Sequence, residues 1–130
     1  MDLITGIERL TALGFVIIGL SHMTAPRAWA RFFIDMRERG EVAGLHNAFV
    51  HIPLGLLIVA FHPVWTWPGI VVTLIGWALT LKGTLHFLWP SLTQRTTGHI
   101  AEEKAGLFLY AGIVSLAIGL FVGWIALGAR

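Results

Sequence analysis

Four long apolar runs alternate with three short connections along this chain of 130 residues. Each run contains about 20 residues, which is the length of helix that crosses a bilayer core of about 30 Å. The predicted spans are residues 3–23, 42–61, 68–89 and 106–127. We therefore predict an all-α integral membrane protein, a four-transmembrane-helix bundle that forms a single transmembrane domain over residues 1–130.

The first connection predicts a further helix. Residues 26–39 place Trp29, Phe32, Phe33 and Met36 at helical spacing among several arginines. A helix with one aromatic face and one basic face lies in the membrane interface, with its apolar side toward the lipid. The sequence therefore predicts an interfacial amphipathic helix directly after the first span, in contact with the lipid bilayer.

The positive charges of the connections predict the orientation. Loops rich in Arg and Lys remain in the cytoplasm, and the second connection, residues 62–68, contains neither residue type. The first and third connections carry Arg27, Arg31, Arg37, Arg39, Arg95 and Lys104. We predict a protein of the cell inner (plasma) membrane with both termini outside the cytoplasm, although Arg9 and Arg130 lie on the opposite side.

The composition narrows the functional classes. Hydrophobic residues make up 56% of the chain and charged residues only 12%, which favours a membrane protein over a soluble domain. The chain has no cysteine, which excludes disulfides and thiolate ligands. Its basic residues lie beside the hydrophobic segments, as expected from membrane topology, so we expect no nucleic-acid binding. No H-E-x-x-H motif or paired carboxylates occur in a helix core, which favours a non-enzymatic role and leaves an enzyme as the alternative.

One motif occurs twice at a shift of 64 residues. The pattern G-x-x-H-x-x-x-P begins at Gly19 and again at Gly83. Self-similarity at a fixed shift indicates an internal duplication, which here gives two tandem helical hairpins, residues 1–64 and 65–130. Because each unit has two spans, both units have the same orientation and are related by a pseudo-two-fold axis along the membrane normal.

Small residues form a stripe on the fourth span. Ala111, Ser115, Gly119 and Gly123 are four residues apart and share one helix face. Such a face lets another helix approach closely and gain van der Waals contact within lipid. The stripe either packs against the second span of the same chain, or Ser115, Gly119 and Gly123 contact a second copy or another membrane partner. The second alternative predicts a homo-oligomer or a subunit of a membrane complex.

Polar side chains in the cytoplasmic half of the spans mark candidate sites, because burying them in lipid is costly. Asn47 and His51 share one helix face, and Lys82 and His86 share another, since each pair is four residues apart. The candidate cofactor-binding residues are His22, His51 and His86, and the candidate substrate-binding residues are Asn47, Lys82 and Ser115. No catalytic residue and no metal-ligand set is predicted.

Each of these histidines also has a structural interpretation. His22 and His86 lie in the last turn of their helices, where a cation suits the helix dipole and can cap carbonyl groups. His51 lies near the middle of its span and can hydrogen-bond Ser115 or Asn47 within the bundle. These alternatives require no ligand.

Lys82 and four other polar residues are also interpreted as residues of the membrane edge or of loops. Lys82 can extend its ammonium group toward the interface along its apolar stem. We assign Glu8 and Arg9 to anchoring at the outer edge, with a proton-linked pair as the alternative. His62 and His99 are interpreted as loop or headgroup residues.

Three functional hypotheses follow. In the first, His22 and His86 ligate one haem b from opposite sides, or His51 hydrogen-bonds a quinone. In the second, Lys82 and the histidines line a small homo-oligomeric transporter or channel. In the third, the protein is an accessory subunit that binds a partner and anionic lipid. We favour an accessory or partner-binding subunit in a haem- or quinone-linked redox complex, with the transporter as the alternative.

The beginning of the chain resembles a known family. The segment R-L-T-A-L-G-F-V-I-I-G-L-S-H from Arg9 to His22, followed by Pro26 and W-A-R-F-F, resembles the DoxX-like small bacterial membrane proteins. Members of that family have four helices, and some are associated with quinone-linked sulfur oxidation. The resemblance implies a four-helix fold and a quinone-linked role, while Lys82 and the repeated motif lie outside it.

Overall fold

The computed structural model describes residues 2–128, so Met1, Ala129 and Arg130 lie outside the described part of the chain. Residues 2–128 contain six α-helices and one short 3-10 helix, and no strand occurs among them. The helices are α1 (Leu3–Thr24), α2 (Pro26–Glu38), α3 (Glu41–Phe61), α4 (Ile70–Leu88), α5 (Leu92–Thr97) and α6 (Gly106–Ala126), and the 3-10 helix is Glu102–Lys104.

Four of these helices, α1, α3, α4 and α6, are long and apolar enough to cross a membrane. Their ends lie within two residues of the predicted ends in every case. The all-helical fold with four candidate spans is therefore confirmed. The segment predicted as an amphipathic helix is also helical, as α2.

Three prolines determine where three of the long helices end. Ala25, His62 and Trp89 directly follow α1, α3 and α4, and each precedes a proline. A proline disfavours the helical conformation of the residue before it. All three residues accordingly have φ near −130° and leave the helical region.

The long helices pack as two close pairs. α1 lies along α6, and α3 lies along α4. Each pair therefore joins one helix of the first predicted repeat unit to one helix of the second. The expectation that each unit packs as its own hairpin is not met, because the closest contacts cross between the units.

Glycines allow the close approach within the α1/α6 pair. A Cβ atom added at Gly19 would lie 2.6 Å from the backbone nitrogen of Leu116. One added at Gly119 would lie 2.7 Å from the backbone nitrogen of Val16. The stripe that contains Gly119 thus packs against the first span of the same chain, and the proposed second span is not its partner.

The α3/α4 pair has contacts of the same kind. A Cβ atom added at Gly83 would lie 2.8 Å from the backbone nitrogen of Ile52, and one added at Gly55 would lie 2.5 Å from that of Thr80. Each of these residues is 64 positions from its counterpart in the α1/α6 pair. The two helix pairs therefore make the same kind of glycine-to-backbone contact at positions 64 residues apart.

An apolar cluster joins the two pairs at one end of the bundle. It lies where α1 and α4 begin and α3 and α6 end, and we call this the terminal end because the first helix begins and the last helix ends there. Burial of such side chains against one another gives close contact between the pairs. The cluster consists of Ile7, Ala12, Ile58, Val72, Val122 and Ile125.

The opposite end carries the arginine-rich connections, and we call it the basic end. Here Arg37 of α2 donates hydrogen bonds from Nη1 to the carbonyl oxygens of Thr97 (2.9 Å) and Ile100 (3.1 Å). Arg31 forms an exposed ion pair with Glu102 at 3.3 Å. Both contacts connect α2 to the segment between α4 and α6, so α2 is held across this end of the bundle.

The close contacts predict that a single added methyl group at one of these glycines lowers the stability of the bundle. Gly83→Ala should lower the free energy of unfolding by about 1–3 kcal/mol, because the new Cβ would overlap the backbone of α3. Gly106→Ala is the matched control, since a Cβ there meets nothing within 4 Å. Unfolding in detergent micelles measures both, and equal effects of the two variants would contradict this account of the packing.

Candidate functional site

A groove lies in the seam between the two helix pairs. It has a volume of about 240 Å³ and is bordered by α1 on one side and by α3 and α4 on the other. Only two of its lining side chains, Thr11 and His51, are polar. The lining residues are Leu10, Thr11, Gly14, Phe15, Ile18, Val50, His51, Leu54, Leu57, Ile58 and Leu79.

His51 is held in one tautomer by its own helix. Its Nδ1 atom lies 2.7 Å from the carbonyl oxygen of Asn47. Because a carbonyl can only accept, Nδ1 carries the proton and donates it. The other nitrogen, Nε2, lies 3.0 Å from Nζ of Lys82. A neutral His51 therefore accepts a hydrogen bond at Nε2 from the Lys82 ammonium group.

Lys82 places a positive charge well inside a candidate span. It lies six residues before the end of α4, which is about 9 Å at 1.5 Å per residue. The ammonium group has three donors, and His51 accepts one of them. Among residues 2–128 no carboxylate forms an ion pair with Lys82. A cation in lipid needs anionic or strongly accepting partners, so its remaining donors are available to a ligand.

Asn47 lies one helical turn before His51. Its side-chain oxygen Oδ1 is buried and accepts no hydrogen bond from the described residues. Buried polar atoms are nearly always satisfied, by protein or by ordered water. The Asn47 side chain is thus a second polar group near His51 that can bind a ligand or water.

Ser115 has a packing role within the α1/α6 pair. Its hydroxyl donates a hydrogen bond of 2.9 Å to the carbonyl oxygen of Phe15. Ser115 therefore hydrogen-bonds α1, and His51 bonds Asn47 and Lys82 instead of Ser115. Gly123 also faces α1, since a Cβ atom there would lie 3.8 Å from Cβ of Ala12.

His22 and His86 occupy equivalent positions in the two helix pairs. Nδ1 of His22 donates to the carbonyl of Ile18 at 2.8 Å, and Nδ1 of His86 donates to that of Lys82 at 2.8 Å. The His22 ring also stacks on Trp29, with ring centroids 4.1 Å apart. These are carbonyl contacts of the kind expected in a last helical turn. Haem ligation by the two Nε2 atoms stays a prediction.

Residues 2–128 contain no group of three or more His, Asp or Glu side chains arranged to hold a metal ion. The described polar groups in the spans instead form pairs and short chains. Two of these involve histidines that bridge helices, one at His51 and one at His62.

A second polar cluster was missed at the terminal end. Glu8 and His62 are both 0% exposed, and Oε1 of Glu8 lies 3.2 Å from Nε2 of His62. His62 does lie in the connection after α3, as the loop interpretation predicts, but its complete burial rules out a headgroup position, and the burial of Glu8 rules out its interpretation as an edge anchor. The two residues are 54 positions apart, so no local pattern pairs them. The available signal was the rare carboxyl group inside a predicted span.

Comparison with known proteins gives no identification. The chain has no significant match to a protein-family model, to a curated protein or to a solved structure. The resemblance of its first helix to the DoxX-like proteins therefore stays a prediction. The functional argument rests on the geometry of the groove and its polar groups.

The position of Lys82 predicts that its charge does not stabilise the fold. Lys82→Met should leave the unfolding midpoint unchanged or higher, because it removes an ion from lipid without separating an ion pair. Ser115→Ala should cost about 0.6 kcal/mol through the lost interhelical hydrogen bond. Both are measured by unfolding in detergent. If Lys82→Met lowered the free energy of unfolding as much as Ser115→Ala does, Lys82 would have a structural role.

Proposed function

We propose that this protein is a small inner-membrane accessory subunit that holds a quinone in the groove between the helix pairs. Lys82 and His51 provide the polar end of that site. The observation that carries the proposal is the Lys82 ammonium group, which is held on His51 beside an apolar groove without a carboxylate partner among the described residues. Such a donor suits a carbonyl oxygen whose negative charge increases on reduction.

The shape of the groove supports a lipid-soluble ligand. Its walls are almost entirely apolar, as in most sites for small hydrophobic molecules. Ile18 and Leu54 line it and are each 47% exposed, so the groove opens to the lipid side of the bundle. A ring can therefore lie between α1 and α3 while an isoprenoid tail extends into the bilayer.

The accessory role follows from the chemistry of the lining side chains. Imidazole, ammonium and amide groups bind and orient a quinone, and they neither donate nor accept its electrons. The redox step then belongs to a partner in the same membrane. The basic face of α2 supports a position at the cytoplasmic interface, where Arg27 and Arg39 can contact anionic headgroups.

The architecture supports a duplicated origin of the bundle. A pseudo-two-fold axis along the membrane normal would exchange α1 with α4 and α3 with α6, and so exchange the two close pairs. The matched approach of Gly19 to Leu116 and of Gly83 to Ile52 supports this relation. At the shift of 64 residues, the counterparts of His51 and Lys82 are Ser115 and Ile18, so this polar pair occurs in one half of the bundle.

A second function, transport of a small anion, is favoured by the same Lys82. A cation inside a span lowers the barrier for an anion that crosses the membrane. If the transporter is a homo-oligomer, its subunits must contact one another through another face of the bundle, because Ser115 and Gly119 pack against α1 of the same chain. Flux of anions into liposomes that contain the purified protein separates this function from quinone binding.

Removal of the Lys82 charge should weaken quinone binding. A hydrogen bond from a charged group is worth about 1.5–3 kcal/mol, so Lys82→Met should raise the Kd for a short-chain ubiquinone analogue about 10- to 100-fold. Lys104→Met is the matched control, since Lys104 neither lines the groove nor contacts His51. Titration calorimetry in detergent measures both, and unchanged affinity in Lys82→Met would refute the proposed site.

Filling the groove should abolish binding without unfolding the protein. Gly14 lines the groove, and a Cβ atom there meets nothing within 4 Å. Gly14→Leu therefore places a side chain where the quinone ring would lie, and its unfolding midpoint should remain at the wild-type value. Gly106→Leu is the control outside the groove. Wild-type affinity in Gly14→Leu would show that the quinone binds elsewhere.

A further inference from the structure

A second groove lies at the basic end, where α4 ends and α5 begins. It has a volume of about 410 Å³ and is lined by residues of both helices and of the turn between them. None of these residues lines the groove between the helix pairs, so the two sites are separate. We call it the α4/α5 groove. Its lining residues are Leu85, Trp89, Ser91, Leu92 and Arg95.

The α4/α5 groove extends from the connection into a candidate span. Leu85 lies four residues before Trp89, which is about 6 Å along the helix at 1.5 Å per residue. Trp89 directly follows α4 and is 59% exposed, and tryptophan is enriched where a span reaches the headgroup layer. Ser91 and Arg95 follow it in the connection. The groove is therefore polar at the level of the headgroups and apolar on the side of the span.

The charge of Arg95 is not balanced by a neighbouring carboxylate. Arg95 is exposed, and among residues 2–128 no Asp or Glu forms an ion pair with it. The connection that carries it, residues 89–98, contains no acidic residue. Its guanidinium group presents five donors in a planar fork that matches the oxygens of a phosphate. A negatively charged phosphate therefore suits this rim by charge and by hydrogen-bonding geometry.

Contacts on the other side of α5 hold this groove in shape. Thr93 and Thr97 are buried, and the carbonyl oxygen of Thr97 accepts a hydrogen bond of 2.9 Å from Arg37. A Cβ atom added at Gly44 of α3 would overlap the backbone of Pro90. Both ends of α5 are thus fixed against the bundle. A site on a fixed backbone loses less conformational freedom when it binds a ligand.

A groove of the same kind follows the first span. It has a volume of about 250 Å³ and lies between the end of α1 and α2. Three of its lining positions, 21, 25 and 28, are 64 residues before positions 85, 89 and 92 of the α4/α5 groove. The counterpart of Arg95 is Arg31, which is paired with Glu102 and does not line this first groove. The end of a span thus forms a groove in both halves, and Arg95 distinguishes the second one.

We propose that the α4/α5 groove binds one anionic phospholipid, with its phosphate on Arg95 and Ser91 and an acyl chain along Leu85 and Leu92. A zwitterionic lipid carries its own cation beside its phosphate, which competes with Arg95, whereas an anionic lipid supplies the missing negative charge. A free phosphate would leave the apolar side of the groove uncovered. The bound lipid is a partner of the basic end and is independent of any molecule held between the helix pairs.

Removal of the Arg95 charge tests the contact with the headgroup. In native mass spectra recorded during lipid titration, the wild-type protein should bind phosphatidylglycerol more tightly than phosphatidylcholine with the same acyl chains. Arg95→Gln should raise the Kd for phosphatidylglycerol about fivefold or more, the effect of one cation at a headgroup surface. Arg27→Gln is the matched control, because Arg27 is exposed at the same end and lines neither groove. It should keep the wild-type affinity.

Three results of this experiment would overturn the proposal. Equal affinity of the wild-type protein for the two lipids would show that the groove does not recognise the headgroup charge. Equal losses of affinity in Arg27→Gln and Arg95→Gln would indicate a diffuse basic surface in place of a site. Binding of inorganic phosphate as tightly as phosphatidylglycerol would show that the ligand is a free anion and not a lipid.

A second pair of variants tests the apolar part of the groove. Leu85→Trp places a larger side chain where the acyl chain would lie, so it should lower the affinity for phosphatidylglycerol with Arg95 intact. Leu81→Trp is the matched control, since Leu81 lies one turn earlier on α4, is 61% exposed and does not line the groove. Wild-type affinity in Leu85→Trp would place the lipid outside the groove and refute its assignment to this site.

Discussion

Close backbone contact at glycines is the interaction on which the rest of this bundle depends. Lipid is as apolar as the helix surfaces, so helices gain little from burying leucine and must gain van der Waals contact instead. Gly19 and Gly119 supply this contact between α1 and α6, and Gly55 and Gly83 supply it between α3 and α4. Two tight pairs result, and a groove of about 240 Å³ lies in the seam between them.

The groove and the contact between Glu8 and His62 both lie in that seam. The apolar cluster and the contact between Glu8 and His62 lie at the terminal end, while the groove lies further along α1 and α3. At the basic end Arg37 binds the segment after α5 and holds α2 in place.

Four of the described histidines share one arrangement. His22, His51 and His86 each donate from Nδ1 to the carbonyl four residues earlier, and His62 donates from Nδ1 to a threonine oxygen. This leaves Nε2 to face another helix or a ligand. At His51 the partner of Nε2 is a cation, and at His62 it is a carboxyl group. Histidine therefore contacts a basic group at one place and an acidic group at the other, depending on its neighbours.

Local properties of the sequence determined the spans and their ends. Apolar runs set the helix lengths, and a proline at position 26, 63 or 90 ended a helix because it restricts the residue before it. Only the tertiary structure decided that α1 pairs with α6, that Ser115 binds Phe15, and that Glu8 meets His62 inside the bundle. Those contacts join positions 54 to 100 residues apart, and their free energies depend on how closely two backbones approach, which no local pattern of residues encodes.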